Sequence, residues 1–132
     1  MKPLVTKNKR FSTDYTKLIN SIQRLHFKKS LPKLLTGDVV RVGLSIKEGN
    51  KDRIQYYQGI VIAKKNTGLN AKIIVRKIFQ GIGVERQFLI HSPKFQSIEI
   101  LKASKVRRSK LYYLRKVYGK ASRLKQKFNV QR

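Results

Sequence analysis

The strongest constraint on the fold lies in residues 34–102, where short runs of apolar and polar residues alternate. Val40, Val42, Leu44 and Ile46 occupy every second position of one run, which places them on one face of a strand. Runs rich in β-branched and aromatic residues, separated by Gly-containing or Pro-containing turns, cover 36–46, 53–65, 71–79, 84–90 and 96–102. Five short strands with such turns predict a small antiparallel β-barrel or sandwich.

Segments with helical spacing flank this β region. Apolar residues from Tyr15 to Leu25 recur on one face, which predicts an N-terminal helix over residues 12–31. Residues 1–11 lack periodicity and are assigned to a basic arm. Helical spacing returns within 103–132, where Gly119 interrupts it and favours two short helices. The prediction is a mainly β protein with a basic helical C-terminal tail.

Charge narrows the class of partner. The chain carries 32 Lys and Arg against 6 Asp and Glu, a net charge of +26. Glu99 is the last acidic residue, so no acid balances the cations of the tail. Because a compact chain with this charge repels itself, it is expected to function beside a polyanion. Nucleic acid, an anionic membrane and an acidic protein are the candidates.

Aromatic residues among the tail cations favour nucleic acid. Tyr112, Tyr113 and Tyr118 offer rings that can stack on bases or pack inside the protein. Packing is favoured for Tyr113 and Tyr118, and the two roles are equally favoured for Tyr112. A membrane-surface helix needs a broad, bulky apolar face, whereas the apolar stripe of the tail is narrow and broken by Gly119. No apolar run reaches the roughly 20 residues needed to cross a bilayer. A membrane partner is therefore not predicted.

Groups for catalysis or metal binding are sparse. The chain has no Cys, and His26 and His91 lack the spacing of metal ligands. The GIG of residues 81–83 lies between two strands and lacks the third glycine of a dinucleotide loop, so it indicates a hairpin turn. We predict no enzyme activity, cofactor, metal or small-molecule substrate. An enzyme using the loop at His91 is kept as a weaker hypothesis.

Three stretches together closely resemble the bacterial-type ribosomal protein L19 family of the large subunit. They are LLTGDVVRVGLSIKEGNKDRIQYYQGIVIAKKNTG (34–68), VRKIFQGIGVERQFLIHSPKFQSIEI (75–100) and KVRRSKLYYLRKVYGKASRLKQKF (105–128). The resemblance covers about residues 15–128. The second and third stretches are most similar to cyanobacterial and plastid members. With the abundance of Lys, Ile and Asn, this favours a plastid (chloroplast) ribosome; an AT-rich bacterium or a mitochondrion remains the alternative.

The resemblance implies an SH3-like barrel over residues 34–102, flanked by helical extensions. It also implies binding to large-subunit rRNA at the subunit interface, beside ribosomal protein L14, and a contribution to an intersubunit bridge with small-subunit rRNA. A non-ribosomal polyanion binder, such as a nucleoid protein or RNA chaperone, is the second hypothesis. That hypothesis predicts similar binding to arbitrary DNA or RNA.

Positions that match the family and carry suitable chemistry are the predicted rRNA contacts. In the tail they are Lys105, Arg107, Arg108, Lys110, Arg115, Lys120 and Arg123. In the β region they are Arg76, Lys77, Arg86, His91 and Lys94. Most are expected to hold phosphates and to read few base edges.

Overall fold

The computed structural model describes residues 10–128. This part contains one α-helix, α1 (Arg10–His26), and five strands. The strands are β1 (Val39–Glu48), β2 (Lys51–Lys65), β3 (Lys72–Phe79), β4 (Ile82–Leu89) and β5 (Phe95–Lys102). The mainly β class and the N-terminal helix are confirmed. The predicted basic arm lies outside the described residues, except for its last two positions, which belong to α1.

The strands form a single antiparallel sheet in the order β4-β3-β2-β1-β5. β1 and β2 pair along the whole of β1, from Val39 opposite Ile60 to Glu48 opposite Lys51. The register shifts once between β2 and β3 and twice between β1 and β5. Such irregularities bend strands and increase their twist. Consequently β1 and β4, which are not neighbours in the sheet, line a common groove.

The predicted closed barrel is not confirmed, because the described sheet is open, with β4 and β5 at its edges. After β4, the Ile90 amide donates a hydrogen bond to the Ala71 carbonyl at 3.0 Å, so the chain stays beside β3. Before β5, the Ser45 amide of β1 donates to the Lys94 carbonyl at 2.9 Å. The segment after β4 therefore bonds beside β3, whereas the segment before β5 bonds to β1. The edges β4 and β5 do not pair with each other, and a groove lies between β1 and β4.

Two-residue turns join β1 to β2 and β3 to β4, whereas residues 66–71, which include a short 3₁₀ segment (Gly68–Asn70), join β2 to β3. In the β3–β4 hairpin, Phe79 pairs with Ile82, and the two residues between them have φ of 50° (Gln80) and 78° (Gly81). Positive φ at both central positions is the pattern of a type I′ turn. The predicted hairpin is thus confirmed, although its turn consists of Gln80 and Gly81, and Ile82 and Gly83 already belong to β4.

The sheet carries apolar side chains on both faces. The larger core contains Val40, Val42, Val61, Ile73, Val75, Phe88 and Phe95, each at most 3% exposed. A second cluster contains Ile62 from β2 together with Leu111 and Leu114 from the tail. Since consecutive strand residues point to opposite faces, Val61 and Ile62 serve the two clusters. The tail therefore covers the face of the sheet that points away from the main core.

The N-terminal helix ends at His26, earlier than its predicted limit at residue 31. The next residue, Phe27, packs its ring edge-on against His91, with the centroids 4.7 Å apart. The Lys28 amide lies 3.3 Å from Nδ1 of His91, and the Lys28 ammonium reaches the Phe95 carbonyl. Contacts with the sheet thus replace the helical hydrogen bonds that local periodicity predicts.

The predicted helical tail is not confirmed either. Among residues 103–128 the structure has only two short 3₁₀ segments, Tyr112–Arg115 and Gly119–Ser122. Helical spacing would bring together like charges such as Lys116 and Lys120, which weakens an α-helix. Gly119, with φ of 67°, also leaves the helical region of the backbone.

Candidate nucleic-acid interface

The tail is fixed to the sheet by backbone and apolar contacts. The Leu111 amide donates a hydrogen bond to the Ile62 carbonyl at 2.8 Å. The side chains of Leu111 and Leu114 are only 1% and 4% exposed, so they act as the anchor of the tail. Val106 packs over Gly37, where an added Cβ would lie 2.7 Å from a Val106 methyl carbon. These contacts therefore hold the backbone that carries the tail cations in a fixed position on the sheet.

The two ends of the tail pair with each other. The Lys105 amide donates to the Lys125 carbonyl at 2.9 Å, and the Lys127 amide donates to the Ala103 carbonyl at 2.8 Å. Ser104 and Gln126 form an antiparallel bridge between these bonds. This pairing closes the tail into a loop and brings cations from its beginning and its end to one place.

A groove of about 570 Å³, here called the tail groove, results from this closure. Its lining residues are Lys105, Val106, Arg107, Arg108, Leu111, Tyr113, Ala121, Arg123, Leu124 and Lys125. Four predicted rRNA contacts meet here, namely Lys105, Arg107, Arg108 and Arg123. Lys125 lines the groove too, although it was not among the predicted contacts; its only sequence signal is its place in the acid-free run. No acidic residue belongs to the lining.

Two other predicted contacts, Arg76 and Arg115, bind the same carboxylate, that of Glu85. Arg115 binds Glu85 through two hydrogen bonds, from Nε at 2.8 Å and from Nη2 at 2.7 Å. Arg76 donates to the same carboxylate at 3.1 Å, and only 11% of its side chain is exposed. The hydrogen bond from Arg115, assisted by the charges of both arginines, holds the pKa of Glu85 below its ordinary value. These residues thus form a second link between tail and sheet.

The remaining predicted contacts are spread over the surface. Lys77 lies over the rings of Tyr57 and Phe79, 5.0 and 5.3 Å from their centroids. Arg86 and Lys94 border the groove between β1 and β4. His91 is partly buried against Phe27. Lys110 and Lys120 are exposed beside the tail groove without lining it.

Other kinds of site find little support. Among the side chains that the structure describes, those of residues 15–128, there is no group of three or more His, Asp or Glu placed to hold a metal ion. The described helix is neither long nor apolar enough to cross a membrane. The feature that stands out is the concentration of unneutralised cations around the tail groove, and such a surface suits phosphate groups.

Replacing Glu85 with Gln is expected to lower the free energy of unfolding by about 1–3 kcal/mol, because Arg76 would remain largely buried without its counter-ion. Urea denaturation of both proteins measures the difference. The matched control is Glu99→Gln, since Glu99 is 58% exposed and lies 3.6 Å from Arg41. That exposed pair should contribute about 1 kcal/mol or less. Equal effects of the two substitutions would contradict this account.

The contribution of Glu85 is also expected to depend on pH. Because folding lowers the pKa of Glu85, its ion pairs stabilise the protein fully above its ordinary value of 4.5. This stabilisation is lost as the pH falls below 4.5 and through the pKa of the folded state. The stability difference between the unaltered protein and Glu85→Gln should therefore shrink from pH 6 towards pH 3. A difference that grows in acid would contradict the assigned direction.

Comparison with known proteins adds independent information. The family model described as Ribosomal protein L19 matches residues 17–127. The chain is 60% identical over 115 residues to the large ribosomal subunit protein bL19c of Thalassiosira weissflogii, covering 87% of this chain and 96% of the relative. It is 59% identical over 112 residues to bL19c of Mesostigma viride, covering 85% of this chain and 94% of the relative. Identity to bL19 of Cyanothece sp. is 58% over 112 residues, or 85% and 93% of the two chains.

Proposed function

Because the chain belongs to the ribosomal protein L19 family, and is thus a structural protein of the large ribosomal subunit, we propose that it binds large-subunit rRNA through the tail groove. The observation that carries this proposal is the convergence of Lys105, Arg107, Arg108 and Arg123 on one acid-free concavity. Cations gathered in this way neutralise neighbouring phosphates and release their counter-ions.

The chain's family consists of ribosomal structural proteins, and the protein is not an enzyme. Its partners are ribosomal RNA and ribosomal proteins. Relatives called bL19c in the diatom Thalassiosira weissflogii and in Mesostigma viride support a plastid ribosome as its location. The similar cyanobacterial relative fits the same assignment.

Finer features of the family assignment belong to the same proposal. The protein would lie at the subunit interface beside ribosomal protein L14 and contribute to a bridge with small-subunit rRNA. The pairing of β1 with both β2 and β5 supports regarding the sheet as an incompletely closed SH3-like barrel. Lys77, Arg86 and Lys94 are placed on the sheet and its loops, where they would engage phosphates outside the tail groove.

Sedimentation tests the ribosomal assignment. A tagged full-length chain is expressed in the source organelle or in a cyanobacterium, and ribosomal subunits are separated on a sucrose gradient at low magnesium. The expected result is one copy in the large-subunit peak and none in the small-subunit peak. A chain found at the top of the gradient would contradict the proposal and favour a general polyanion binder.

A charge-matched pair of variants tests the tail groove itself. Lys105→Gln with Arg107→Gln removes two cations from the groove, whereas Lys47→Gln with Lys51→Gln removes two exposed cations near the β1–β2 turn. We expect the groove variant to be displaced from large subunits at lower salt than the control variant. Release of both variants at the same salt concentration would show that only net charge matters.

A further inference from the structure

The lining of the tail groove has two chemically different parts. Cations occupy much of its wall, whereas Val106, Leu111, Ala121 and Leu124 supply apolar surface. The backbone of a duplex presents phosphates and sugars, and cations alone satisfy the phosphates. Apolar surface inside a basic groove suits a ligand that has an uncharged, flat part beside its charged part.

A flat surface for such a part is present in the groove. The guanidinium carbon of Arg108 lies 5.7 Å from the centre of the Tyr113 ring. Tyr113 is partly exposed, at 38%, so part of its surface is accessible to a ligand. Unpaired bases stack on aromatic rings and on arginine planes of this kind. Arg108 and Tyr113 together therefore offer a platform for one base.

The charges are placed to hold a phosphate group next to this platform. Lys105 and Arg107 come from the beginning of the tail, and Arg123 and Lys125 come from its end. The hydrogen bond from Lys105 to Lys125 fixes these two segments side by side. The volume of about 570 Å³ lies within the range of roughly 300–1,000 Å³ that suits molecules of the size of drugs.

We infer that the tail groove takes up an unpaired nucleotide of the bound RNA, with its base on Arg108 and Tyr113 and its phosphate among the flanking cations. This inference rests on the proposed RNA binding and specifies the RNA element that the groove selects. Exposed rings also lie beside cations of the sheet, as Tyr56 does beside Arg41 and Phe79 beside Lys77. Neither of these rings lines the tail groove, where four further cations surround Arg108 and Tyr113. The sheet cations would instead contact phosphates of paired regions.

The test compares two RNA hairpins, one with a fully paired stem and one whose otherwise identical stem carries a single unpaired adenosine. Fluorescence anisotropy gives the affinity of the full chain for each hairpin at one salt concentration. The protein should bind the bulged hairpin about 5- to 150-fold more tightly, as expected from the stacking of one base on an aromatic residue. Because stacking tolerates any base, the sequence of the probe is not critical.

Substitutions then locate the preference. Tyr113→Ala should abolish the preference for the bulged hairpin, and Tyr113→Phe should retain it because the ring remains. Arg108→Lys keeps the charge but removes the planar guanidinium, so it should reduce the preference while leaving affinity for the paired stem nearly unchanged. Tyr118→Ala is the matched control, since Tyr118 is 64% exposed and lies outside the groove.

The inference is overturned if the protein binds the two hairpins equally. It is also overturned if Tyr113→Ala and Arg108→Lys both keep the preference. Either result would leave the assignment of the protein to the large ribosomal subunit unaffected, because sedimentation with that subunit is measured separately. Conversely, a chain that prefers the bulged hairpin but sediments apart from ribosomes would retain the groove assignment and lose the ribosomal one.

Discussion

The affinity of the full chain for its rRNA site is expected to fall about 10⁵-fold between 50 and 200 mM salt. Eleven of the twelve predicted contacts are Lys or Arg, and two of these, Arg76 and Arg115, are paired with Glu85. If the remaining nine engage phosphates of a duplex, the log–log slope is about −8, at roughly −0.9 for each phosphate. Filter binding at several salt concentrations measures this slope.

The slope can be assigned to particular side chains. Replacing Lys105 and Arg107 with Gln should make the slope shallower by about 2, since each removed phosphate contact contributes about 0.9. Replacing Lys47 and Lys51, which are outside the predicted set, should leave it unchanged. A nearly salt-independent affinity for the rRNA site would contradict the phosphate-binding role of the predicted residues.

Phe95→Ala is expected to lower the free energy of unfolding by about 3–5 kcal/mol, which is typical for removing a buried aromatic ring. Phe95 is 1% exposed and belongs to the main core at the start of β5. The ammonium of Lys28 also lies 5.4 Å from its ring centre, so the connection from α1 to the sheet loses a contact. Urea denaturation followed by circular dichroism measures the change.

A loss of stability of this size is comparable with the total free energy of unfolding of a small domain. Small domains bury a limited fraction of their surface, and total stabilities of single domains are only about 5–15 kcal/mol. The control is Phe79→Ala, because Phe79 is 56% exposed at the β3–β4 hairpin and should cost about 1 kcal/mol or less. Unfolding of both variants at the same urea concentration would contradict the assignment of Phe95 to the core.

The strands could be predicted because their pattern is local. Alternation at Val40 and Val42 identifies β1, and the glycine of the QGIG turn identifies the β3–β4 hairpin. Closure of a barrel is not local, since it depends on how the edges β4 and β5 use their backbone groups. The periodicity of the chain contains no information on those bonds, and the observed sheet is open.

The tail shows the same limit more sharply. Its spacing predicted helices, but Leu111 and Leu114 pack with Ile62, and the Leu111 amide bonds to the Ile62 carbonyl instead of continuing a helix. The partner of Arg115 could not be predicted either, because Glu85 lies in β4, 30 positions earlier. The excess of Lys and Arg in the sequence identified the tail as basic. The groove depends on the backbone pairing of Lys105 with Lys125, which the sequence did not predict.

Anchoring of the tail on Ile62 has a consequence for the order in which the protein matures. The sheet grows from hairpins between adjacent strands, which form early because the segments that meet are close in sequence. The tail follows the sheet in the chain and so emerges after it from the synthesising ribosome, and its docking surface exists only when β2 is in place. We therefore expect the groove to form only on chains whose sheet is complete, so that immature chains present their cations without the geometry that selects a binding site.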